Sequence, residues 1–291
     1  MTSSFVQKAN PTEARTVELS LAHSPDSDDA FMFYALATRK LDTRGLSFTH
    51  RLEDIESLNR KALEGIYDIT AISFHAYPYL EDEYVLLPCG ASFGDRYGPL
   101  VVSRANWGFD TLKGKRVAVP GKMTTAYLAL QLYEPGVDAV VTPFDQILDT
   151  VARGEVDAGV VIHEGQLTYS NTGLRKILDL GEWWYQETKL PLPLGGNVIR
   201  RALDSYTKHA VAAILRESIQ YSLHHREEAL SYAQHFSRGL DAATADRFVS
   251  MYVNDWTLDC GQSGRRAIQE LFDRGFQKGF LPKVVKAEYV E

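Results

Sequence analysis

The stretch Val156–Tyr169, which reads VDAGVVIHEGQLTY, decides the fold predicted for the surrounding chain. Its first half, Ala158–Ile162, is a short apolar run rich in β-branched residues, which is typical of a strand buried on both faces. The run ends abruptly at His163 and Glu164, and Gly165 follows. The pattern therefore predicts an α/β protein in which this strand lies inside a sheet.

The pair His163 and Glu164 is the first candidate for chemistry, because ligands of open α/β sheets bind at the carboxyl ends of strands. Neutral histidine is the side chain best suited to accept a proton near pH 7. The structural alternative is a strand-end histidine that bonds a neighbouring carbonyl. The adjacent carboxylate and the strand-end position favour His163 as a catalytic base at least as much as that alternative.

Composition and charge restrict the class of protein. The chain has 291 residues, 45% hydrophobic and 24% charged, which is ordinary for a globular protein and enough for two domains. The net charge of -7 argues against a nucleic-acid groove but is compatible with a local site for a small anion. Cys89 and Cys260 lie too far apart in sequence to indicate a disulfide framework or a metal cluster.

The first residues contain no basic segment followed by an apolar one, so they predict no signal peptide. No run approaches the roughly 20 apolar residues of a membrane helix. We expect a cytoplasmic protein with no membrane partner, in which the polar residues 1–15 are a disordered lead-in.

A first α/β unit is predicted from Val17. Val17–Ala22 alternates as a strand, a polar turn with three aspartates follows, and Ala30–Ala37 reads as a buried helix. Such a junction directs backbone N–H groups and short polar side chains into the crevice. The aspartates, Asp26, Asp28 and Asp29, resemble magnesium ligands, but no second carboxylate cluster recurs downstream, so we expect helix capping rather than a metal site.

The same unit continues through a second strand, a helix and a third strand. Leu46–Leu52 is the strand, and Asp54 caps the helix Ile55–Glu64. Asp68–Ile72 is the third strand, with Ser73 at its tip.

A second α/β unit begins with the strand Arg116–Val119. Thr124 and Thr125 stand at the start of the apolar helix Ala126–Tyr133, and we expect Thr125 to cap it. The free N–H groups and the positive dipole end of that helix form a ready anion site. The structural alternative is a threonine N-cap without a ligand.

The remaining segments complete a two-lobed plan. The stretch Leu190–Ile199 returns the chain to the first unit, and helical patterns follow at 205–225, 227–237, 242–253 and 265–279, with Asp204 and Asp241 as caps of the first and third. Two βα units, an inserted second α/β unit and a return are the architecture of a two-lobed type 2 periplasmic-binding-protein-like fold with C-terminal helices. We place the larger lobe at 16–102 plus 198–291 and the smaller at 103–197.

Two chain crossings connect these lobes, near Pro99–Ser103 and Leu194–Ile199. Gly195 and Gly196 mark the second one and would permit the φ changes of a hinge. We therefore expect a ligand to be trapped in the cleft between lobes that open and close.

Several stretches resemble the 1,4-dihydroxy-6-naphthoate synthase family of the futalosine route to menaquinone. The resemblance extends from about Val17 to the C-terminal helices, and its most specific parts are the runs Ile162–Glu164 and Thr124–Ala126. The matching stretches are Ser24–Leu36 (SPDSDDAFMFYAL), Leu52–Gly65 (LEDIESLNRKALEG), Gly98–Val102 (GPLVV), Arg116–Leu128 (RVAVPGKMTTAYL), Gly154–Glu164 (GEVDAGVVIHE) and Leu190–Asn197 (LPLPLGGN).

The resemblance implies a lyase that fragments cyclic dehypoxanthinyl futalosine into the dihydroxynaphthoate and a small sugar-derived product. It implies that His163 is the base, without a metal or organic cofactor. Its substrate-binding positions correspond to Ala71, Ile72, Ser73, Thr125 and Ala126.

Two positions depart from the family pattern. Ala71 stands where some members have lysine, and the turn Asp26–Asp29 stands where the family often reads Cys-Pro-Asn-Asp. Two alternatives remain open: chorismate dehydratase of the same pathway, and a solute-binding or sensor protein with the same cleft and no chemistry.

Overall fold

The computed structural model describes residues 17–105 and 112–291. The lead-in predicted at 1–15 lies outside the described residues. The strands are β1 (Val17–His23), β2 (Leu46–Leu52), β3 (Ile69–Ser73), β4 (Tyr84–Leu86), β5 (Ser92–Gly94), β6 (Leu100–Ser103), β7 (Arg116–Val119), β8 (Asp138–Val141), β9 (Ala158–Val161), β10 (Arg175–Asp179) and β11 (Leu192–Arg200).

The strands form two sheets. The first sheet has the order β2-β1-β3-β11-β4, with β5 also paired to β11. The second sheet has the order β10-β6-β9-β7-β8. In the first, β1 runs parallel to β2 and β3, and in the second, β7 runs parallel to β8 and β9. The carboxyl ends of β1 and β3 therefore meet at one edge, and those of β7 and β9 meet at another.

Strand β9, which contains the apolar run before His163, is buried as its sequence predicts. All four residues of β9 are buried, and β9 lies between β6 and β7 in the second sheet. Its short apolar run is covered on both sides because two helices, α5 (Ile147–Arg153) and α4 (Thr125–Tyr133), pack against it. The α/β class is confirmed.

The two sheets divide the chain a few residues away from the lobe boundaries expected at 102/103 and 197/198, and the lobes themselves stay a prediction. Strand β6 pairs antiparallel with β9 and β10, so 100–103 belongs to the second sheet. Strand β11 pairs with β3, β4 and β5, so 192–197 belongs to the first. The chain consequently crosses between the sheets at 95–99 and near 189–191.

Helices cover the sheets and form the C-terminal part of the chain. They are α1 (Ser27–Met32), α2 (Tyr34–Ala37), α3 (Ile55–Leu63), α4 (Thr125–Tyr133), α5 (Ile147–Arg153), α6 (Gly165–Thr168), α7 (Leu180–Thr188), α8 (Ser205–His224), α9 (Arg226–Ala233), α10 (Ala242–Tyr252), α11 (Asp255–Leu258) and α12 (Gly261–Gln277). The caps predicted at Asp54, Asp204 and Asp241 are confirmed, since each side chain accepts a backbone N–H of its helix.

The helix predicted at Ala30–Ala37 is two helices. The chain leaves helical geometry at Phe33, whose ψ is 3°, so that α1 ends at Met32 and α2 begins at Tyr34. Helix α1 also starts earlier than expected, at Ser27, which brings Asp28 and Asp29 into its first turn. The polar turn is consequently shorter than its composition indicates.

One cluster of buried side chains joins the two sheets. It includes Val198 on β11, Val117 on β7 and Phe272 on α12, all nearly inaccessible to solvent. Burying such side chains is the main favourable term in folding. None of the helices in the described ranges is long and apolar enough to cross a membrane.

Candidate active site

A cavity lies where the carboxyl ends of β1 and β3 face those of β7 and β9. Its empty volume, including the mouth that is open to solvent, is about 780 Å³. Both sheets and the C-terminal helix α10 contribute to its wall. The lining residues are Ser24, Asp26, Asp28, Asp29, Ile55, Ala71, Ile72, Ser73, Gly90, Ser92, Pro99, Thr124, Thr125, Ala126, Ile162, His163, Gln166, Leu194, Gly195, Gly196, Asn197, Phe248 and Tyr252.

His163 lies two residues beyond the end of β9, where the strand turns into α6. Its φ is 55°, a left-handed value that is uncommon for residues other than glycine, and this turn places the imidazole on the cavity wall. The Nδ1 atom lies 3.0 Å from Asp26 Oδ2. Since a carboxylate accepts the Nδ1 proton, Nε2 is the ring nitrogen left for a ligand.

The ion pair of His163 and Asp26 joins the two sheets across the cavity. Only 16% of the His163 side chain and 1% of the Asp26 side chain are exposed. Burial alone would lower the pKa of His163, but the charge and hydrogen bond of Asp26, together with Glu164 and Asp28, outweigh burial and raise it to about 9. Burial would raise the pKa of Asp26, and the charges of His163 and Arg238 instead lower it to about 2.

The turn after β1 adds two carboxyl groups to the same side of the cavity. Asp29 accepts the Ser24 N–H at 2.7 Å, yet burial raises its pKa to about 7. Burial and the neighbouring carboxylates hold the pKa of Asp28 well above its usual range. This end of the cavity therefore offers a protonated carboxyl as well as the charged pair.

The amino end of α4 forms another part of the cavity wall. Thr124 is the N-cap, because its hydroxyl oxygen accepts the Tyr127 N–H at 3.2 Å. The expectation that Thr125 caps the helix is wrong, since its hydroxyl donates to the Leu194 carbonyl at 2.6 Å and accepts the His75 N–H. The backbone N–H groups of Thr125 and Ala126 have no partner among the described residues, so they remain available to an anion.

The three residues at the end of β3 line the cavity as their positions predict. Ala71 and Ile72 present apolar surface, and Ser73 lies at the strand tip. Asn59 on α3 fixes Ser73, because its amide donates to the Ser73 hydroxyl at 3.1 Å and accepts the Ser73 N–H at 2.8 Å. The Ser73 hydroxyl proton is thereby left for another acceptor.

Gly195 and Gly196 have a packing role in addition to the hinge expected of them. They lie inside β11, in register with Ser73 and Ile72 of β3, and neither has a positive φ. A Cβ at Gly195 would lie 2.8 Å from the Ile72 carbonyl oxygen, so the glycine permits close approach of the strands. The hinge at these residues stays a prediction.

A family model described as menaquinone biosynthesis matches residues 19–277. The chain belongs to this menaquinone biosynthesis family. A 1,4-dihydroxy-6-naphthoate synthase of Thermus thermophilus is 42% identical over 261 residues, which cover 90% of this chain and 95% of the relative. A protein of the same name from Streptomyces coelicolor is 38% identical, with 91% and 95% covered. Both relatives are synthases, and the chain is accordingly an enzyme of this family.

Solved structures confirm the fold. A crystal structure of an Archaeoglobus fulgidus protein is 47% identical, has a TM-score of 0.87 and covers 92% of this chain and 99% of its own. The alkanesulfonate-binding protein SsuA from Xanthomonas axonopodis, bound to MOPS, has a TM-score of 0.70 at 14% identity, with 96% and 98% covered. At that identity the likeness shows the fold alone, which is periplasmic-binding-protein-like.

Several side chains at the cavity were not predicted from the sequence. Tyr252 on α10 donates its hydroxyl proton to Gln166 Oε1 at 2.8 Å, and both residues line the cavity. Arg238 reaches Asp26 and Glu164 from the turn before α10. These partners come from distant parts of the chain and carry no local motif. The part of the chain that the structure describes holds no group of three or more His, Cys, Asp or Glu arranged for a metal ion.

We expect Asp26→Asn to lower the pKa of His163 below about 9, because burial of the imidazolium is then no longer offset by that charge. Nitrogen-15 chemical shifts of the imidazole, followed against pH, measure it directly. Asp259→Asn is the control, since it removes the same charge from a surface pair with Arg216. A His163 pKa that stays near 9 in Asp26→Asn would show that Asp26 is not its main partner.

Proposed function

We propose that the enzyme is a 1,4-dihydroxy-6-naphthoate synthase acting as a lyase, which cleaves a C–C bond of cyclic dehypoxanthinyl futalosine. The observation that carries the proposal is the His163–Asp26 pair in a cavity that faces an open helix amino end. Relatives named as naphthoate synthases match about nine-tenths of the chain and support the same activity.

His163 is the proposed base. Asp26 holds Nδ1 and orients the ring, so that Nε2 can accept the proton of a substrate hydroxyl. The resulting alkoxide becomes a carbonyl as the adjacent C–C bond breaks, and the electron pair of that bond enters the ring system that becomes aromatic. The His163 proton then returns to the departing fragments, so no redox partner is required.

The substrate carboxylate is proposed to bind at the amino end of α4. The N–H groups of Thr125 and Ala126 and the positive helix dipole favour an anion there. Ser73 can donate its hydroxyl proton to the same ligand, while Ala71 and Ile72 form an apolar wall for a ring. The proposed anion site and the His163–Asp26 pair lie at different parts of the cavity wall, and together they orient the substrate.

The alternatives from other classes receive less support. A solute receptor would need the cavity but not a buried His163–Asp26 pair, and the likeness to SsuA concerns the fold alone. The named relatives are naphthoate synthases rather than chorismate dehydratases. Product analysis with each substrate distinguishes the naphthoate synthase, the chorismate dehydratase and a receptor that forms no product.

The organisation of the lobes and their location in the cell are also proposed. We propose that the units around the first and second sheets move as lobes, with the crossings at 95–99 and 189–191 as the places where the chain bends. Opening would admit the substrate, and closing would exclude water during bond cleavage. The expected cytoplasmic location remains a prediction.

Incubation with cyclic dehypoxanthinyl futalosine tests the activity. We expect the wild-type enzyme to release the dihydroxynaphthoate, detected by its absorbance and by mass spectrometry. His163→Gln removes the base and keeps a polar side chain, so kcat should fall by a factor on the order of 10²–10⁴. The control is His209→Gln, which alters an exposed histidine on α8 and should leave kcat unchanged.

Three outcomes would contradict this proposal. Tight binding of the cyclic substrate without product would favour a receptor. Conversion of chorismate would favour the dehydratase. Near-normal turnover by a folded His163→Gln enzyme would remove His163 from the mechanism.

The carboxylate site has a separate test in the ligand. We expect a product-like aryl carboxylate to bind at least tenfold more tightly than its carboxamide, because each charge-assisted hydrogen bond contributes about 1.5–3 kcal/mol. Isothermal titration calorimetry measures both affinities. Equal affinities would place the carboxylate away from Thr125 and Ala126.

A further inference from the structure

Arg238 lies in a sharp turn at the rim of the cavity, between α9 and α10. Its φ is 52° and that of Gly239 is 82°, so two successive residues adopt left-handed conformations. The Gln234 amide donates to the Leu240 carbonyl at 2.6 Å and to the Ser237 hydroxyl at 2.9 Å. The turn is thus fixed by its own hydrogen bonds, and it directs Arg238 toward the cavity.

The guanidinium of Arg238 binds the two carboxylates nearest to His163. Its Nη2 pairs with Oδ1 of Asp26, whose other oxygen, Oδ2, faces His163. Its Nη1 lies 3.4 Å from Oε2 of Glu164, and Oε1 of Glu164 accepts the Ser27 hydroxyl proton at 3.1 Å. A planar guanidinium fork can hold two acceptors in fixed directions, which an ammonium group cannot do.

The same guanidinium also stacks on an aromatic ring that contacts His163. Its Cζ lies 4.4 Å from the centroid of Phe144, which is a cation–π distance. Phe144 in turn meets the His163 imidazole edge to face, with centroids 4.9 Å apart. Arg238 therefore contacts three residues around His163. They are Asp26, which pairs with it, Glu164, which follows it in the chain, and Phe144, which packs against its ring.

The groups around His163 are mostly acidic. Four carboxyl groups interact with the charge of His163. Three lie in the turn after β1 and in the first turn of α1, and the fourth belongs to the residue that follows His163. They are Asp26, Asp28, Asp29 and Glu164. His23 also faces Asp26, but burial lowers its pKa to about 3 and leaves it neutral. Arg238 is the cation that the structure places against this acidic group.

We infer that Arg238 is a positioning residue for this site, which holds Asp26 and Glu164 in fixed orientations and balances their negative charge beside His163. The inference rests on the proposed role of His163 as base. It assigns to a residue of the C-terminal helical part a function in a reaction whose other proposed groups lie in the two α/β units.

The sign of the effect follows from the charges. Without Arg238 the carboxylates would hold the His163 proton more strongly, so the pKa of His163 would rise and less free base would be present at neutral pH. Because 35% of the Arg238 side chain is exposed, water screens part of its charge. We expect a rise of about half a unit to one unit.

Three variants test the inference. Arg238→Gln removes the charge, Arg238→Lys keeps the charge without the fork, and Arg216→Gln is the control, since it breaks a comparably exposed pair with Asp259 at 2.9 Å. Nitrogen-15 titration should show the pKa of His163 raised in Arg238→Gln, less changed in Arg238→Lys and unchanged in the control. At neutral pH, kcat/KM of Arg238→Gln should fall roughly three- to tenfold and recover at high pH, with KM little changed.

A pKa of His163 that is unchanged or lowered in Arg238→Gln would overturn the inference and leave Arg238 as a surface ion pair. Thermal unfolding of each variant, compared with Arg216→Gln, identifies a folding defect. If Arg238→Gln has such a defect, the pKa of His163 in Arg238→Lys decides the inference. The NMR titration needs no substrate. Its result therefore stands even if the proposed reaction fails, and absence of turnover by the wild type would count against the function alone.

Discussion

The buried ion pair between Asp26 and His163 is the interaction on which the rest of the site depends. It connects the turn after β1 in the first sheet with the end of β9 in the second, with 3.0 Å between Nδ1 and Oδ2. Taking two charges out of water is costly, so such a pair is weak support for stability and is retained where it serves a function. Ser24, Arg238 and Phe144 surround the pair and supply the contacts that a buried charge requires.

The cavity wall carries two different polar features, and they give the substrate one preferred orientation. Free backbone N–H groups of α4 attract an anion, while the His163–Asp26 pair and the protonated carboxyl of Asp28 lie at another part of the wall. A substrate with a carboxylate at one end and hydroxyl groups at the other would thus present a hydroxyl to His163. Fixed dipoles and charges of this kind act without reorganisation during the reaction.

The sequence predicts the parts of this site that depend on local patterns. The apolar run before His163 marks the buried strand, and Thr124 marks the start of α4, because burial and capping act on neighbouring residues. The one-residue error at Thr125 arises because two adjacent threonines could each cap the helix, and only packing against Leu194 and His75 assigns the second to another role.

What the sequence could not predict depends on distant contacts. Arg238 meets Asp26 across 212 positions of the chain, and its SRG turn has no feature that distinguishes it from an ordinary surface loop. The chain also crosses between the sheets a few residues away from the expected positions, because the pairing partners of β6 and β11 are chosen by the whole sheet rather than by either strand. The close contact of the β11 glycines with β3 likewise cannot be predicted from the sequence, because it depends on how the strands pair.

The most direct test of the central claim is the pH dependence of kcat/KM for the wild-type enzyme with the cyclic substrate. A base held by Asp26 must lose a proton before it can act, and the pKa of His163 is raised to about 9. The account predicts that kcat/KM rises nearly tenfold per pH unit from roughly pH 6 to 8 and levels off near pH 9. A kcat/KM that is constant or falls over that range would contradict His163 as the base.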